Sequence, residues 1–187
     1  PRKMDSKTPL ILYAHGGGFS GGKRDDKYIE SFANNMAERG YAVASISYQL
    51  TRQNLGFDCN TKSTDKINTF NSVSNDISYA INYLIKYKEK FNINPEQIIL
   101  MGTSAGAEAV LNLAYVHDNI LSKDFKFAGV ISMAGAITTL DKINSKTAIP
   151  TQLFHGTDDK LVPYNIAPHH YCDKNSVGYL KLYGSKA

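Results

Sequence analysis

Residues Ile98 to Ala107, with the sequence Ile-Ile-Leu-Met-Gly-Thr-Ser-Ala-Gly-Ala, decide the fold of this chain. An apolar run typical of a buried strand ends at Gly102, and a helical pattern begins just after Ser104. Ser104 therefore stands on a sharp strand-to-helix turn, in the Gly-x-Ser-x-Gly arrangement of a nucleophile elbow. The glycines have a steric purpose, because the residues two before and two after the serine approach each other. Such a turn holds the hydroxyl above the sheet and directs the next helix's N-terminus at developing negative charge.

Strand-like and helix-like segments alternate along the rest of the chain, which indicates an α/β fold with a mainly parallel sheet. The predicted strands are residues 10–14, 41–47, 98–101, 127–132 and 150–154, and the predicted helices are residues 28–37, 77–91 and 107–114. Nearly unbroken apolar strands indicate a sheet covered by helices on both faces. Residues 49–68 are polar and irregular, and we expect a long functional loop there. No repeat or domain boundary divides residues 1–187, which we expect to form a single domain.

The composition excludes several function classes. The chain has 187 residues, of which 42% are apolar and 20% charged, as in ordinary soluble globular domains. Its net charge of +4 is small, and its lysines and arginines are scattered, so a nucleic-acid partner is not expected. No apolar run reaches about 18 residues, so no membrane span is expected. Because the sequence begins at Pro1, we expect a processed or trimmed start.

A glycine cluster, residues 15–23, follows the first strand and has three interpretations beyond a plain turn. Its glycine spacing matches a dinucleotide-binding fingerprint, but the next strand ends in Tyr48 and Gln49 without the expected acidic residue. It also matches most of a phosphate-binding loop, but Arg24 stands where a serine or threonine should hold Mg²⁺. Both nucleotide interpretations therefore lack a required residue.

The third interpretation is the His-Gly-Gly-Gly oxyanion loop, formed here by residues 15–18. Glycines in such a loop allow backbone N–H groups to turn toward a substrate carbonyl. This is the interpretation that needs a serine elbow elsewhere, and Ser104 supplies it, so we favour it. We expect the His15 side chain to hold the loop by hydrogen bonding and not to act as a catalytic base.

Three motifs together resemble the α/β-hydrolase family, and within it the compact carboxylesterases of the lipase and feruloyl- or acetyl-xylan-esterase-like kind. They are His15–Phe19, Gly102–Gly106 and His155–Pro163, whose order and spacing agree with that family over nearly the whole chain. The third motif matches the pattern His-Gly-x-x-Asp-x-x-Val-Pro. The resemblance therefore implies that Asp159 is the catalytic acid, that Asp158 is a solvated neighbour, and that the motif's own histidine is structural.

The resemblance places the catalytic histidine after the acid, on a loop that follows one more strand. His169 and His170 follow Asp159 too closely, because a crossover needs about a dozen residues or more. We therefore expect the sequence to be truncated, with the final helix, strand and histidine absent and residues 179–185 leading into a further helix. The alternative is that residues 179–183 are the last strand and the histidine lies just beyond.

The activity that the resemblance implies is serine esterase chemistry through an acyl-enzyme. Ser104 attacks an ester carbonyl, a histidine beyond the sequence takes its proton, and Asp159 orients that histidine. The N–H groups of Ala105 and of Gly17 or Gly18 form the oxyanion hole. No metal or organic cofactor is required. The implied substrates are short acyl or aromatic esters, either small molecules or groups attached to plant polysaccharide.

Two other functions remain open. A serine peptidase of the same fold would carry nearly the same motifs, and a panel of small esters tested against peptide amides separates the two. A non-catalytic binding protein of hydrolase fold becomes the better hypothesis if the intact gene product lacks the histidine. The acyl group, the alcohol and the oligomeric state are not predicted.

Cys59 lies in the predicted long loop, and Cys172 lies beyond the strand that delivers Asp159. In this fold both segments emerge at the carboxyl edge of the sheet, where the site is. The two cysteines are therefore predicted to lie near each other, either as a disulfide that ties down the cleft wall or as two unrelated buried thiols. A disulfide would favour a secreted or periplasmic location.

Overall fold

A sheet of five parallel strands forms the centre of the computed structural model, which describes residues 7–118, 120–122 and 125–187. Its strands are β1 (Thr8–Ala14), β2 (Ala42–Ile46), β3 (Ile93–Thr103), β4 (Gly129–Met133) and β5 (Thr151–Phe154). They lie side by side in the order β2-β1-β3-β4-β5. Every pairing in this sheet is parallel, and the five strands match the five that the apolar runs predict.

Helices cover both faces of the sheet, as the unbroken apolar strands predict. The helices are α1 (Lys27–Glu38), α2 (Ser63–Lys86), α3 (Lys88–Phe91) and α4 (Ala105–Tyr115). Ile11 and Tyr13 of β1 face α1. Leu10 and Leu12 point to the opposite face, where they pack with apolar residues of α2 and α4. Each such fully buried aliphatic side chain contributes about 1.5–3 kcal/mol of burial free energy, so β1 anchors both layers.

Helix α1 begins and ends where its capping residues allow. The Asp26 side chain accepts a hydrogen bond from the Tyr28 N–H at 2.9 Å, and Gly40 follows the helix with a φ of 89°. Among the apolar residues that predict this helix, Ile29 and Phe32 pack on the sheet, whereas Tyr28 is exposed. The predicted glycine stop at Gly40 is confirmed.

The predicted loop 49–68 is too long, because α2 already begins at Ser63. The loop between β2 and α2 therefore spans residues 47–62. The start of α2 is polar, which hides its helical pattern in the sequence. Its buried positions are nevertheless one helical turn apart, at Lys66, Thr69, Phe70 and Val73.

Two further boundaries differ from the sequence-based prediction. The helix expected to run to Phe91 is divided at Tyr87 into α2 and α3. The turn expected at residues 94–96 lies inside β3, where the register with β1 shifts between the pairs Thr8–Ile93 and Leu10–Ile98. An irregularity of this kind keeps the strand paired while it accommodates extra residues.

A second, two-stranded antiparallel sheet follows the main sheet. It consists of β6 (Ile166–Pro168) and β7 (Lys181–Tyr183). Tyr183 also pairs with Ile137, which attaches this small sheet to the segment after β4. The alternative prediction of a strand at residues 179–183 is therefore close to the observed β7, but that strand pairs with β6 and does not extend the main sheet.

Cys59 and Cys172 form a disulfide, with their Cα atoms 5.3 Å apart across 113 residues of sequence. The bond joins the 47–62 loop to the segment that follows a short 3-10 turn, His169–Tyr171. The predicted bridge is confirmed, and the alternative of two unrelated thiols is wrong. On the chain-entropy model a loop of this length stabilises the fold by about 5 kcal/mol. Among the described residues, no helix is long and apolar enough to cross a bilayer.

We expect Gly106→Ala to destabilise the protein, because the added Cβ would overlap the carbonyl of Ala14 at the end of β1. Overpacking of this kind lowers the free energy of unfolding by about 1–3 kcal/mol. Gly156→Ala is the matched control, since a Cβ there meets no atom within 4 Å. Urea denaturation measures both variants. Equal stabilities for the two would contradict the close approach of α4 to β1.

Candidate functional site

The carboxyl ends of the parallel strands bring the predicted site residues to one edge of the sheet. The glycine loop follows β1, Ser104 follows β3, and Asp159 lies on the loop after β5. Strand β1 is the direct neighbour of β3, and β4 lies between β3 and β5. Because neighbouring strands are about 4.8 Å apart, the topology places the acid loop about two strands from the serine.

Ser104 occupies the turn between β3 and α4 with φ 49° and ψ −121°, a conformation that residues with a side chain rarely adopt. Its N–H donates to the Met133 carbonyl at 2.8 Å, and its carbonyl accepts from Glu108 N–H at 2.9 Å. A Cβ on Gly102 would overlap the backbone of Gly106, which confirms the predicted steric reason for the two glycines. Ala105 is the first residue of α4, where backbone N–H groups have no acceptor within the helix.

The glycine loop borders the serine. A Cβ on Gly16 would lie 3.3 Å from the Ser104 Cβ. Gly17 and Gly18 have φ values of 119° and 58°, in the region that favours glycine. The Gly17 carbonyl accepts hydrogen bonds from the N–H groups two and three residues beyond Gly18, at 3.1 and 3.0 Å. These two hydrogen bonds close residues 17–21 into a turn, in which the Gly17 carbonyl faces the N–H groups of the turn itself.

His15 holds this loop, as the sequence predicts. Its Nδ1 lies 2.8 Å from the Gly16 carbonyl oxygen. Its ring stacks on Tyr48 with centroids 4.3 Å apart, and the Tyr48 hydroxyl donates to the His15 carbonyl at 2.8 Å. Burial raises the pKa of Tyr48, which keeps this hydroxyl protonated as a donor.

Asp159 is anchored by its own turn. Its Oδ1 accepts hydrogen bonds from the N–H groups of Leu161 at 2.8 Å and Val162 at 3.0 Å. Its Oδ2 lies 3.5 Å from Nε2 of His155. His155 is buried, with Nδ1 2.9 Å from the Ser185 hydroxyl and Nε2 3.1 Å from the Val162 carbonyl, which agrees with a structural role. Asp158, by contrast, is exposed.

The other histidines lie in separate environments. His117 lies just beyond α4, where its Nε2 is 2.9 Å from the side-chain oxygen of Asn75. His170 is half-buried and has a left-handed φ of 56°, and burial lowers the pKa of its ring. Within the part of the chain that the structure describes, no histidine hydrogen-bonds the Ser104 hydroxyl.

The sequence motifs do not include a buried ionisable cluster that Lys66, Glu108 and His169 form, each of them at most 2% exposed. The Nε2 of His169 lies 3.3 Å from Glu108 Oε1, and Lys66 Nζ donates to the Gly178 carbonyl at 2.9 Å. Burial raises the pKa of Glu108 well above its usual range and lowers that of Lys66. One signal was present in the sequence: Glu108 follows Ser104 by four residues, which places it one helical turn along α4.

Among the residues with described placement, no group of three or more histidine, cysteine, aspartate or glutamate side chains is arranged to hold a metal ion. The candidate site consists of a strained serine, a glycine loop beside it and an anchored aspartate.

The sequence has recognisable relatives. A sequence model described as BD-FAE matches residues 1–147. Gut esterase 1 of Caenorhabditis briggsae is 26% identical over 121 residues, which is 63% of this chain and 21% of that protein. Gut esterase 1 of Caenorhabditis elegans is 29% identical over 113 residues, which is 60% of this chain and 19% of that protein. The chain thus spans about a fifth of the length of these curated relatives.

Solved structures share the fold. Esterase 2 of Thermogutta terrifontis, phosphorylated by paraoxon, superposes with a TM-score of 0.64 at 18% identity. The match covers 88% of this chain and 65% of the esterase. The same esterase has been solved with butyrate bound, with a TM-score of 0.63 to this chain at 17% identity. At this level of identity the likeness concerns the fold, which is that of the α/β-hydrolases.

We expect His169 to make the protein less stable in acid. Burial lowers its pKa from 6.5 to about 2, so below pH 6.5 the unfolded chain binds a proton that the native protein does not. The free energy of unfolding should fall, through this group, by about 1.4 kcal/mol per pH unit as the pH decreases from about 6 to about 4. His169→Phe keeps a ring beside Phe57 and Phe70 but binds no proton.

Chemical denaturation of the proteins with and without His169→Phe across this pH range measures the difference. The comparison is made in a Glu108→Gln background, because Glu108 contacts the ring that the variant replaces, whereas Lys66 and His170 are present in both proteins. The slope of the free energy of unfolding against pH should be smaller in the variant by about 1.4 kcal/mol per pH unit. Identical slopes in the two proteins would show that His169 has no depressed pKa in the folded state.

Proposed function

The chain belongs to the BD-FAE family and has the α/β-hydrolase fold, and from this premise we propose that the protein is a serine esterase. The observation that carries the proposal is the strained turn at Ser104 beside the glycine loop. A backbone in this conformation persists where the surrounding structure imposes it, and such strain is concentrated at functional sites. The names of the gut esterases and of the Thermogutta esterase support ester hydrolysis.

In the proposed reaction, the Ser104 hydroxyl attacks the ester carbonyl and the carbonyl oxygen becomes an oxyanion. The N–H groups of Ala105 and of Gly17 or Gly18 donate to that oxyanion. A donor of this kind contributes about 10²–10³ in rate. Collapse of the tetrahedral intermediate releases the alcohol and leaves an acyl group on Ser104. Water then attacks the acyl-enzyme, releases the carboxylic acid and regenerates the serine.

Asp159 is proposed as the acid that orients the catalytic histidine of the whole protein. That histidine takes the Ser104 proton and returns it to the leaving alcohol, while the carboxylate stabilises the imidazolium that forms between the two steps. The two backbone hydrogen bonds to Oδ1 hold that oxygen in place. A carboxylate held in this way can orient an imidazole without losing conformational freedom during the reaction.

The substrate class that we propose is a carboxylic ester with a short acyl group, consistent with the butyrate-bound Thermogutta esterase. Acyl or feruloyl groups attached to polysaccharide are the more specific proposal, based on the sequence motifs. The test compares p-nitrophenyl acetate and butyrate with methyl ferulate and with peptide p-nitroanilides. Turnover of the anilides without turnover of the esters would favour a peptidase instead.

Ser104→Ala should lower ester hydrolysis by several orders of magnitude in the intact protein, because only the oxyanion donors and binding contacts remain. Ser145→Ala is the matched control, since Ser145 is exposed and lies on the segment that leads into β5, whereas the site loops follow the carboxyl ends of the strands. Steady-state kinetics with p-nitrophenyl butyrate measures both variants. Full activity in Ser104→Ala would exclude this serine as the nucleophile.

Asp159→Asn should reduce kcat by about 10⁴, because an asparagine cannot hold the histidine in the productive tautomer. Asp158→Asn places the same change on the exposed neighbour and should reduce kcat by less than about twofold. The pair is compared by kcat at constant pH. If Asp158→Asn proves the more damaging, the acid has been assigned to the wrong residue.

A further inference from the structure

Phe19 connects the glycine loop to the interior. It follows Gly18 directly, and its side chain is fully buried although its φ of 57° is unusual for a residue with a Cβ. Its carbonyl accepts a hydrogen bond from Arg52 N–H at 3.0 Å. Because Gly17 and Gly18 directly precede Phe19, a shift of the Phe19 ring would move the backbone that carries their N–H groups.

The Phe19 ring rests on other aromatic rings. Its centroid lies 4.9 Å from that of Phe57 and 5.7 Å from that of Phe70, both in edge-to-face geometry. Phe57 and Phe70 also contact each other, at 5.8 Å, and His169 lies 5.2 Å from Phe57. We call these four residues, Phe19, Phe57, Phe70 and His169, the aromatic cluster. The energy of edge-to-face contacts depends on ring orientation, so the other three rings of the cluster favour one position and orientation of the Phe19 ring.

The members of the cluster differ in what supports them. Phe70 belongs to α2, a helix of 24 residues, whereas Phe57 lies in the irregular 47–62 loop. Besides its contacts with Phe19 and Phe70, Phe57 is supported by His169 and by the disulfide, since Cys59 is two residues after Phe57 and Cys172 is three residues after His169. The covalent bond therefore closes a ring around the contact between the Phe57 and His169 rings.

Backbone contacts fix the same region. Gly178 N–H donates to the Cys59 carbonyl at 3.1 Å, and Ser63 N–H donates to the Val177 carbonyl at 2.9 Å. A Cβ on Gly178 would overlap the Cys59 carbonyl, so the two segments touch backbone to backbone. The disulfide and these backbone contacts together hold the 47–62 loop against residues 172–178. They thereby fix the position of Phe57 beside Phe19.

We propose that Phe57, held by the Cys59–Cys172 disulfide, is a positioning residue for the oxyanion donors of Gly17 and Gly18. The inference rests on the proposed esterase function. Phe57 acts through Phe19 and does not itself touch the reacting atoms. Without the Phe57 ring, the turn at Ser104 remains intact, because β3 and α4 hold it. The glycine loop, however, can leave the geometry in which its N–H groups stabilise the transition state.

Phe57→Leu is the first test, with Phe91→Leu as the control, because Phe91 is an exposed aromatic on α3. We expect Phe57→Leu to lower kcat for p-nitrophenyl butyrate about tenfold or more, while KM changes by less than about twofold. The inhibition constant of butylboronic acid, whose serine adduct places an oxygen in the oxyanion hole, should rise by a similar factor. A rise in KM with unchanged kcat would show that Phe57 instead lines the substrate cleft.

The second test reduces the disulfide in wild type with dithiothreitol, which converts the bond into two thiols as dithiothreitol forms its own disulfide. The reduction is carried out below the unfolding temperature of the reduced protein. Because it uses the wild-type sequence, the result does not depend on whether a variant folds. Amide hydrogen exchange, read by mass spectrometry, should accelerate in residues 15–22 and remain unchanged in β3 and the first turn of α4.

Reoxidation should restore both the exchange pattern and kcat. Unchanged exchange in residues 15–22 after reduction would overturn the proposal, whatever the activity. Accelerated exchange in a protein that hydrolyses no ester before or after reduction would support the positioning of the loop and would contradict the esterase function instead.

Discussion

The geometry of the site depends on a close backbone contact between helix α4 and the edge of the sheet. The first turn of α4 lies against the ends of β1 and β3, where Gly106 contacts the Ala14 carbonyl and Gly102 contacts Gly106. No Cβ fits at either glycine. Because the helix must start directly at the sheet edge, Ser104 takes the strained conformation that joins the two elements. The same contact brings the glycine loop after β1 beside the serine. The first N–H of α4, which as a helix terminus has no acceptor in the helix, starts at the same edge of the sheet.

Local pattern was sufficient for the sheet and for the serine turn. The strands are short apolar runs, and the turn is marked by two glycines at fixed spacing, so both signals lie within a few residues of what they specify. Local pattern gave the wrong start for α2, which begins at Ser63 inside the predicted loop. Lys66 is a buried residue of that helix, but lysine in a polar segment predicts a solvated loop. Its ammonium is satisfied by the carbonyl of Gly178, a partner more than a hundred residues away that no local pattern contains.

The burial of Glu108 and His169 likewise could not be predicted from local sequence pattern. Either residue alone predicts an exposed polar side chain, since ionisable groups are rarely buried without partners. His169, on the segment after β6, contacts Glu108 of α4, and the disulfide and the contact with Phe57 tie this segment to the 47–62 loop. Topology predicted that Cys59 and Cys172 emerge at the same edge of the sheet, but it contained no information on the side chains enclosed between them. The motifs therefore predict the reacting groups, and long-range packing determines how those groups are held.

The most direct test of the proposed chemistry is to treat the intact protein with paraoxon and locate the phosphoryl group by peptide mass spectrometry. The Thermogutta esterase of the same fold is phosphorylated by this compound. An activated serine displaces p-nitrophenol and retains the diethylphosphoryl group. We expect one adduct, on the peptide that contains Ser104, with loss of ester hydrolysis in proportion to labelling and no adduct in Ser104→Ala. An adduct on another residue that tracks the loss of hydrolysis, with Ser104 unmodified, would contradict the proposed chemistry.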